Sequence, residues 1–233
     1  MNNAPIQPDP AANFYRGQAG REYHGQKRGL RPECLEWVMA QRSAKFQKYV
    51  RPSDVVCELG AGAGWNLGRL QCARRIGVDP SDFLKEPLAT LGIEWLEKMD
   101  SVPDASVDVV LCHHALEHLL EPAAALRQIG RVLKPGGRLI LHVPWEREGR
   151  HARFRADEPN HHLYTWNAQN LGNLVSALGY RIEALAVRRY GYDRFAANTA
   201  ARFRLGPAGF RLLRTLLVGL RPLREVEAIC RRD

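Results

Sequence analysis

VVCELGAGAGWNL, Val55 to Leu67, is the stretch on which the reading of this chain turns. Val55 to Leu59 is a short apolar run broken only by Glu58, the pattern of a strand buried on both faces of a parallel sheet. Gly60, Gly62 and Gly64 follow, and three glycines in five residues let the backbone turn sharply and approach a bulky group. The pattern then predicts a helix from about Trp65, carrying Leu67 and Leu70 inward. Strand, glycine loop and helix open a nucleotide-type site. Asp79 ends the next apolar run, twenty-one residues after Glu58, where a carboxylate can receive a ribose diol. The glycines read GxGxG rather than the dinucleotide GxGxxG, and no lysine follows as it would in a phosphate-cradling loop. Glu58 and Asp79 beside the loop disfavour a phosphate and tolerate a cationic cofactor.

Working outward, strands and helices alternate. Helix is expected over Pro32–Tyr49, Asp82–Leu91, Pro122–Leu133 and Asn167–Leu178. Strands are expected at Val55–Leu59, Arg75–Val78, Ile93–Leu96, Val107–Cys112, Arg138–Val143, Tyr180–Arg188 and Val226–Arg231. This order predicts an α/β fold, a doubly wound and mostly parallel sheet with helices on both faces and an antiparallel last strand. Residues 1–30 read as an N-terminal arm without a clean helix. Residues 31–233 read as one domain with a loop or lid at 144–166 and a helical excursion at 194–224.

ELGAGAG, GVDPS, SVDVVLCHHALEHL and RVLKPGGRLIL, in that order, resemble the class I S-adenosylmethionine-dependent methyltransferases, in the version with LEHL and LKPGG segments. The resemblance runs from about Val55 to Val143 and more loosely to Ala186. It implies a Rossmann-like methyltransferase fold with S-adenosylmethionine as cofactor. Gly60, Ala61, Gly62 and Gly64 would approach its amino-acid and ribose parts, Glu58 would support the loop or meet the ammonium, and Asp79, followed by Pro80, would bind the ribose. Glu97 and Asp100 are alternatives for the adenine contact, with Cys112 and His113 at the end of the fourth strand. Tyr15, Tyr23 and His24 would lie over the methionine end. All these positions fall at carboxyl ends of strands, where open sheets bind ligands.

A proton acceptor is needed only where the methylated atom carries a proton. His113, His114, His161 and His162 are the candidates, since histidine titrates near neutrality. His118, inside LEHL, reads as a turn support. Paired histidines lack the i,i+4 spacing of HExxH, and no metal is expected.

Net charge is +9, and residues 181–233 hold twelve arginines against five acids. Residues 206–224 have helical spacing, with Leu212, Leu213, Leu216, Leu217 and Leu220 on one side and Arg211, Arg214 and Arg221 on the other. Such a face suits a helix packed on the sheet, or peripheral contact with an anionic membrane. No stretch is long enough to span a bilayer. Nucleic acid is disfavoured, because CHHA (Cys112 to Ala115) stands where enzymes of this family that methylate exocyclic base nitrogens carry an Asn/Asp-Pro-Pro-Tyr-like segment. Five scattered cysteines and an N-terminus unlike a signal peptide predict a cytoplasmic protein, monomeric or homodimeric. The expected activity is methyl transfer to a small or medium-sized metabolite, with oxygen favoured. The alternatives are a catalytically inactive binding or partner module of the same fold, a methyltransferase for lipid-linked substrates at a membrane surface, and a nicotinamide-dependent reductase.

Overall fold

The computed structural model describes residues 14–27, 29–145, 153–154 and 160–233. The expected arm over residues 1–13 and most of the 144–166 loop lie outside the described residues. Among the described residues seven strands form one sheet: β1 (Val55–Leu59), β2 (Arg74–Val78), β3 (Glu94–Leu96), β4 (Val107–His113), β5 (Leu133–Pro144), β6 (Tyr180–Tyr190) and β7 (Leu223–Arg232). Their spatial order is β3-β2-β1-β4-β5-β7-β6. The first five are parallel, and β7 runs antiparallel to both neighbours, β5 and β6. The strand order reverses between β1 and β4, which opens a crevice above their carboxyl ends.

The central strands are buried on both sides. Val56, Val109, Leu111, Ile140 and Ile229 face α2 (Leu35–Gln47) and α3 (Lys85–Thr90), where Phe46 and Leu88 are fully buried. Cys57, Val110, Leu139 and Ala228 face α4 (Pro122–Val132) and α5 (Ala168–Ala177) through Leu126, Ile129, Leu171 and Val175. Asn167 caps α5, its side chain accepting from the Asn170 amide while Asn170 reaches back. A third cluster joins α2 to α6 (Asp193–Arg202) and α7 (Gly206–Leu220), around Val38, Ala197, Ala200 and Phe210.

Four sequence expectations need correction. No regular helix follows the glycine loop: residues 61–69 form successive turns, with a single helical bond from the Gly68 amide to the Gly64 carbonyl (2.8 Å). Left-handed backbone at Gly60, Gly62 and Gly64 and the early return to β2 leave no length for a helix, although Leu67 and Leu70 are buried as expected. Ser43 of α2 clamps the turns instead, donating to the Asn66 carbonyl (2.8 Å) and accepting from the Arg69 amide (3.1 Å). The N-terminal segment does form a helix, α1 (Gly17–Lys27), despite its glycines. Gly20 is one reason, because a Cβ there would lie 2.0 Å from the Tyr15 carbonyl. The fifth strand begins at Leu133 rather than Arg138, with Leu133 paired with Val107 before an irregularity restores register at Val109. Finally, the leucine side of α7 divides. Leu213 and Leu217 pack inward beside Phe210, whereas Leu212, Leu216 and Leu220 are 62%, 52% and 85% exposed. Arg214 turns toward Asp193 (2.6 Å). Among the described residues no helix is long and apolar enough to cross a membrane.

Candidate active site

Above β1 and β4 lies a cleft of about 1670 Å³. Gly60, Ala61 and Gly62 form one wall. The Gly60 and Ala61 amides donate to the Val78 carbonyl (2.8 and 3.2 Å), which ties the loop to the end of β2. A Cβ on Gly60 would lie 2.5 Å from the Ala115 Cβ, so packing forbids a side chain there. Gly62 (φ +52°) has open space above it, with only the His24 ring within 4 Å among the described residues. Beneath the loop Glu58 is fully buried and accepts from the Asn66 amide nitrogen (2.5 Å). Its other oxygen has no hydrogen-bond partner among the described residues. Burial pushes the Glu58 carboxyl up to about 8, only partly opposed by Asn66.

Asp79 ends β2 with one oxygen accepting from the Gly62 amide (2.8 Å) and the other from the Ser81 amide (3.0 Å). Each oxygen keeps a second lone pair. Asp79 is 5% exposed, and the N-terminal segment packs on the turn that follows it. Ser81 Oγ donates to the Tyr15 carbonyl (2.7 Å) and lies 3.3 Å from His24 Nε2. The Tyr15 hydroxyl reaches His118 Nδ1 (2.9 Å), so the segment spans from β2 to the turn after β4.

Not every expected position opens on the cleft. Gly60, Ala61, Gly62, His113, His114 and His162 line it, whereas Glu58, Gly64, Asp79, Pro80, Cys112 and His161 do not. Glu97 and Asp100 are exposed past β3, and Glu97 pairs with Arg16 (2.6 Å). Gly64 is a packing glycine: a Cβ there would lie 2.6 Å from Leu88 and 2.7 Å from Ile93. Burial raises the Cys112 thiol well above its usual range.

The four candidate histidines do not converge. His161 stacks on Phe14 (4.5 Å between centroids), and His162 meets His118 edge-on (5.0 Å). His113 and His114 stack on each other (4.4 Å), His114 in left-handed backbone (φ +53°), a strained choice for a residue with a side chain. Around this pair gather residues the sequence reading did not single out. Register across the sheet sets His113 beside His142 and His142 beside Glu227. Glu225, two residues earlier on β7, faces the same side. Glu225 receives Lys45 Nζ (2.6 Å) on one oxygen and lies 3.1 Å from His114 Nε2 and 3.6 Å from His113 Nε2 on the other. His142 Nε2 is 3.2 Å from Glu227, which also receives Arg188 (2.8 Å). The alternation Glu225-x-Glu227 in a terminal strand was the available signal; Lys45, on α2, left none.

Burial depresses all three histidines. His113 lies well below its usual value, with the Lys45 charge adding to burial. His114 falls to about 4, only partly opposed by Glu225. His142 falls too, against the pull of Glu227. Burial would raise Glu225, but hydrogen bonds to His113 and His114 and the Lys45 charge hold it well below the carboxylate range. Hydrogen bonding to His142 lowers Glu227 to about 2. The site thus holds neutral imidazoles against ionised carboxylates at neutral pH.

Among the described residues two groupings have metal-ligand composition: His113, His114 and Glu225, and Glu117, His118 and His162. In the first, Lys45 already supplies a cation, 2.6 Å from Glu225 and 3.1 Å from His113 Nε2. In the second, buried Glu117 lies 3.9 Å from His118 Nε2 and 4.0 Å from His162 Nε2.

The family model described as a methyltransferase domain matches residues 31–185. The ubiquinone biosynthesis O-methyltransferase of Aeromonas salmonicida is 29% identical over 126 residues, 48% of this chain and 50% of that protein. A methyltransferase of Mycobacterium bovis is 32% identical over 133 residues, 54% of this chain and 50% of that one. The chain spans about half the length of these curated relatives. In fold it resembles the 1,6-didemethyltoxoflavin-N1-methyltransferase of Burkholderia thailandensis, solved with its substrate and S-adenosylhomocysteine bound. The TM-score is 0.62 at 17% identity, covering 99% of this chain and 92% of that one. With a parallel sheet reversing at a glycine loop, and a family match over about two thirds of its length, the chain belongs to the class I S-adenosylmethionine-dependent methyltransferase family.

Proposed function

We propose that this chain transfers a methyl group from S-adenosylmethionine to an oxygen atom of a small molecule. The observation that carries the reading is one cleft shared by the glycine loop and the His113–His114–Glu225 cluster. The residues fit the cofactor. Gly62 leaves an open cradle, and among the described residues buried Glu58 keeps an oxygen with no partner and each Asp79 oxygen keeps a second lone pair beside the loop amide. When bound, the cofactor supplies a sulfonium-activated methyl group.

The chain's own part is alignment, exclusion of water and proton handling. Asp79 would orient the sugar diol. Glu58, ionising beside a cationic ammonium, would take a charge-assisted bond. The segment 14–30 would cover the cofactor, with Tyr15 and His24 over the sugar side rather than the methionine end. Residues 31–233 would act as one domain, with 144–166 as its lid. His114 is neutral at pH 7, so it can accept the proton released by a hydroxyl acceptor. Glu225 would orient its ring and stabilise the imidazolium, as in base–orienter pairs generally. The five cysteines are free thiols, which suits a reducing, cytoplasmic setting.

Asp79→Ala tests the cofactor half. Losing a charge-assisted bond of roughly 1.5–3 kcal/mol should weaken S-adenosylhomocysteine binding by about ten- to a hundred-fold in calorimetry. Unchanged affinity would remove Asp79 from the site.

A further inference from the structure

We infer that the half of the cleft facing away from the glycine loop is a binding site for a phosphate-bearing anion, which makes the methyl acceptor a phosphorylated molecule. This rests on the methyltransferase reading above and deepens it.

The two walls of the cleft differ in charge. On the loop side Glu117 is the lining carboxyl group, while the carboxyl groups of Glu58 and Asp79 lie buried behind the loop, outside the lining. The far wall is built from β6, β7 and the start of α6. Its carboxylates are already engaged: Asp193 by Arg42 (3.0 Å) and Arg214 (2.6 Å), Glu225 by Lys45 (2.6 Å), Glu227 by Arg188 (2.8 Å). Arg189 and Arg224, with Lys48 at the end of α2 and Arg221 just after α7, also line the cleft, and among the described residues none of them has a carboxylate within ion-pair distance. A surplus of cations at the rim of a concave site focuses an attractive field on anions. Arg224 is also held in place. Its guanidinium lies 5.3 Å from the Trp145 ring centre, and its carbonyl accepts from the Trp145 amide (3.0 Å). A stacked, planar fork of donors matches phosphate oxygens with little entropy left to lose.

Size points the same way. The cleft, about 1670 Å³, exceeds the roughly 300–1,000 Å³ of ordinary small-molecule sites, so it has room for a second sizeable ligand beside the cofactor. A cofactor against the glycine loop and an anionic acceptor against the arginines would meet at His113 and His114, between the two walls. The phosphate could belong to a soluble ester or to a lipid headgroup, since exposed Leu212, Leu216 and Leu220 of α7 precede Arg221 at the rim.

The test uses the full chain, with and without saturating S-adenosylhomocysteine, and inorganic pyrophosphate as probe. Calorimetry should show saturable binding that weakens with salt. The triple variant Arg189→Gln, Arg221→Gln, Arg224→Gln should bind pyrophosphate at least about ten-fold more weakly, while its melting curve and its S-adenosylhomocysteine affinity stay those of the parent. In parallel, vesicles of phosphatidylglycerol and of phosphatidylcholine are sedimented with the chain. Capture by the anionic vesicles alone, competed by pyrophosphate and lost in the variant, assigns the phosphate to a lipid. Pyrophosphate binding without capture assigns it to a soluble acceptor. Absence of saturable pyrophosphate binding, or binding or capture that survives the triple substitution, overturns the inference. Loss of S-adenosylhomocysteine binding in the parent overturns the cofactor reading instead, and the pyrophosphate titration without nucleoside still decides the anion site.

Discussion

Glu58 and His114 show how burial sets chemistry one residue at a time. Glu58 titrates at about 8 in the fold, against about 4.3 in an unfolded chain. Between these values the folded chain holds a proton that the unfolded chain has released, so stability is lost as pH rises from about 4.3 to 8. Glu58→Gln keeps an acceptor for Asn66 and removes that loss. In denaturant melts without cofactor it should be more stable than the parent at pH 8 and equal to it at pH 4; equal stability at both would mean that Glu58 is not held protonated. His114 moves the other way, down to about 4. If it accepts the proton, the acid limb of kcat/KM falls near pH 4 rather than near 6.5, and His114→Gln removes that limb. Asp79 and the glycines could be located from spacing alone, because a loop conformation and a strand-end carboxylate are local properties. Glu225 and Lys45 could not, since their meeting depends on a helix before β1 and a strand at the far end of the chain.

At the level of elements, the strands were the easiest to read. Apolar runs of four to seven residues bounded by Gly, Pro and Asp mark β1, β2 and β4 plainly, and burial on both faces follows from helices on both sides. The helix expected after the glycine loop failed because loop closure and three left-handed glycines outweighed the Leu67–Leu70 pattern. α7 shows the limit of a helical wheel. Five leucines share a side, yet among the described residues only the edge holding Phe210, Leu213 and Leu217 packs against α2 and α6. Phe210→Ala should therefore cost about 3–5 kcal/mol, whereas Leu216→Lys should shift stability by no more than about 0.5 kcal/mol. Urea melts of the two variants check the assignment; similar losses in both would mean that the outer leucines are also covered.

For the whole molecule, topology does what no single motif can. Strand order alone brings the glycine loop, Asp79 and the histidines at the end of β4 to one end of the sheet, and this followed from the alternation of elements before any side chain was placed. The insertion of antiparallel β7 between β5 and β6 was the part that changed the site. It sets Glu227 against His142 and delivers Glu225 to His114, giving the acceptor side a carboxylate layer that sequence order conceals. Titrating S-adenosylhomocysteine and, separately, NAD into the intact chain by calorimetry tests this account most directly. It predicts one saturable S-adenosylhomocysteine site per chain, weakened by Asp79→Ala, and no uptake of NAD. A chain that takes up NAD, or that leaves S-adenosylhomocysteine unbound at millimolar concentration, would contradict it.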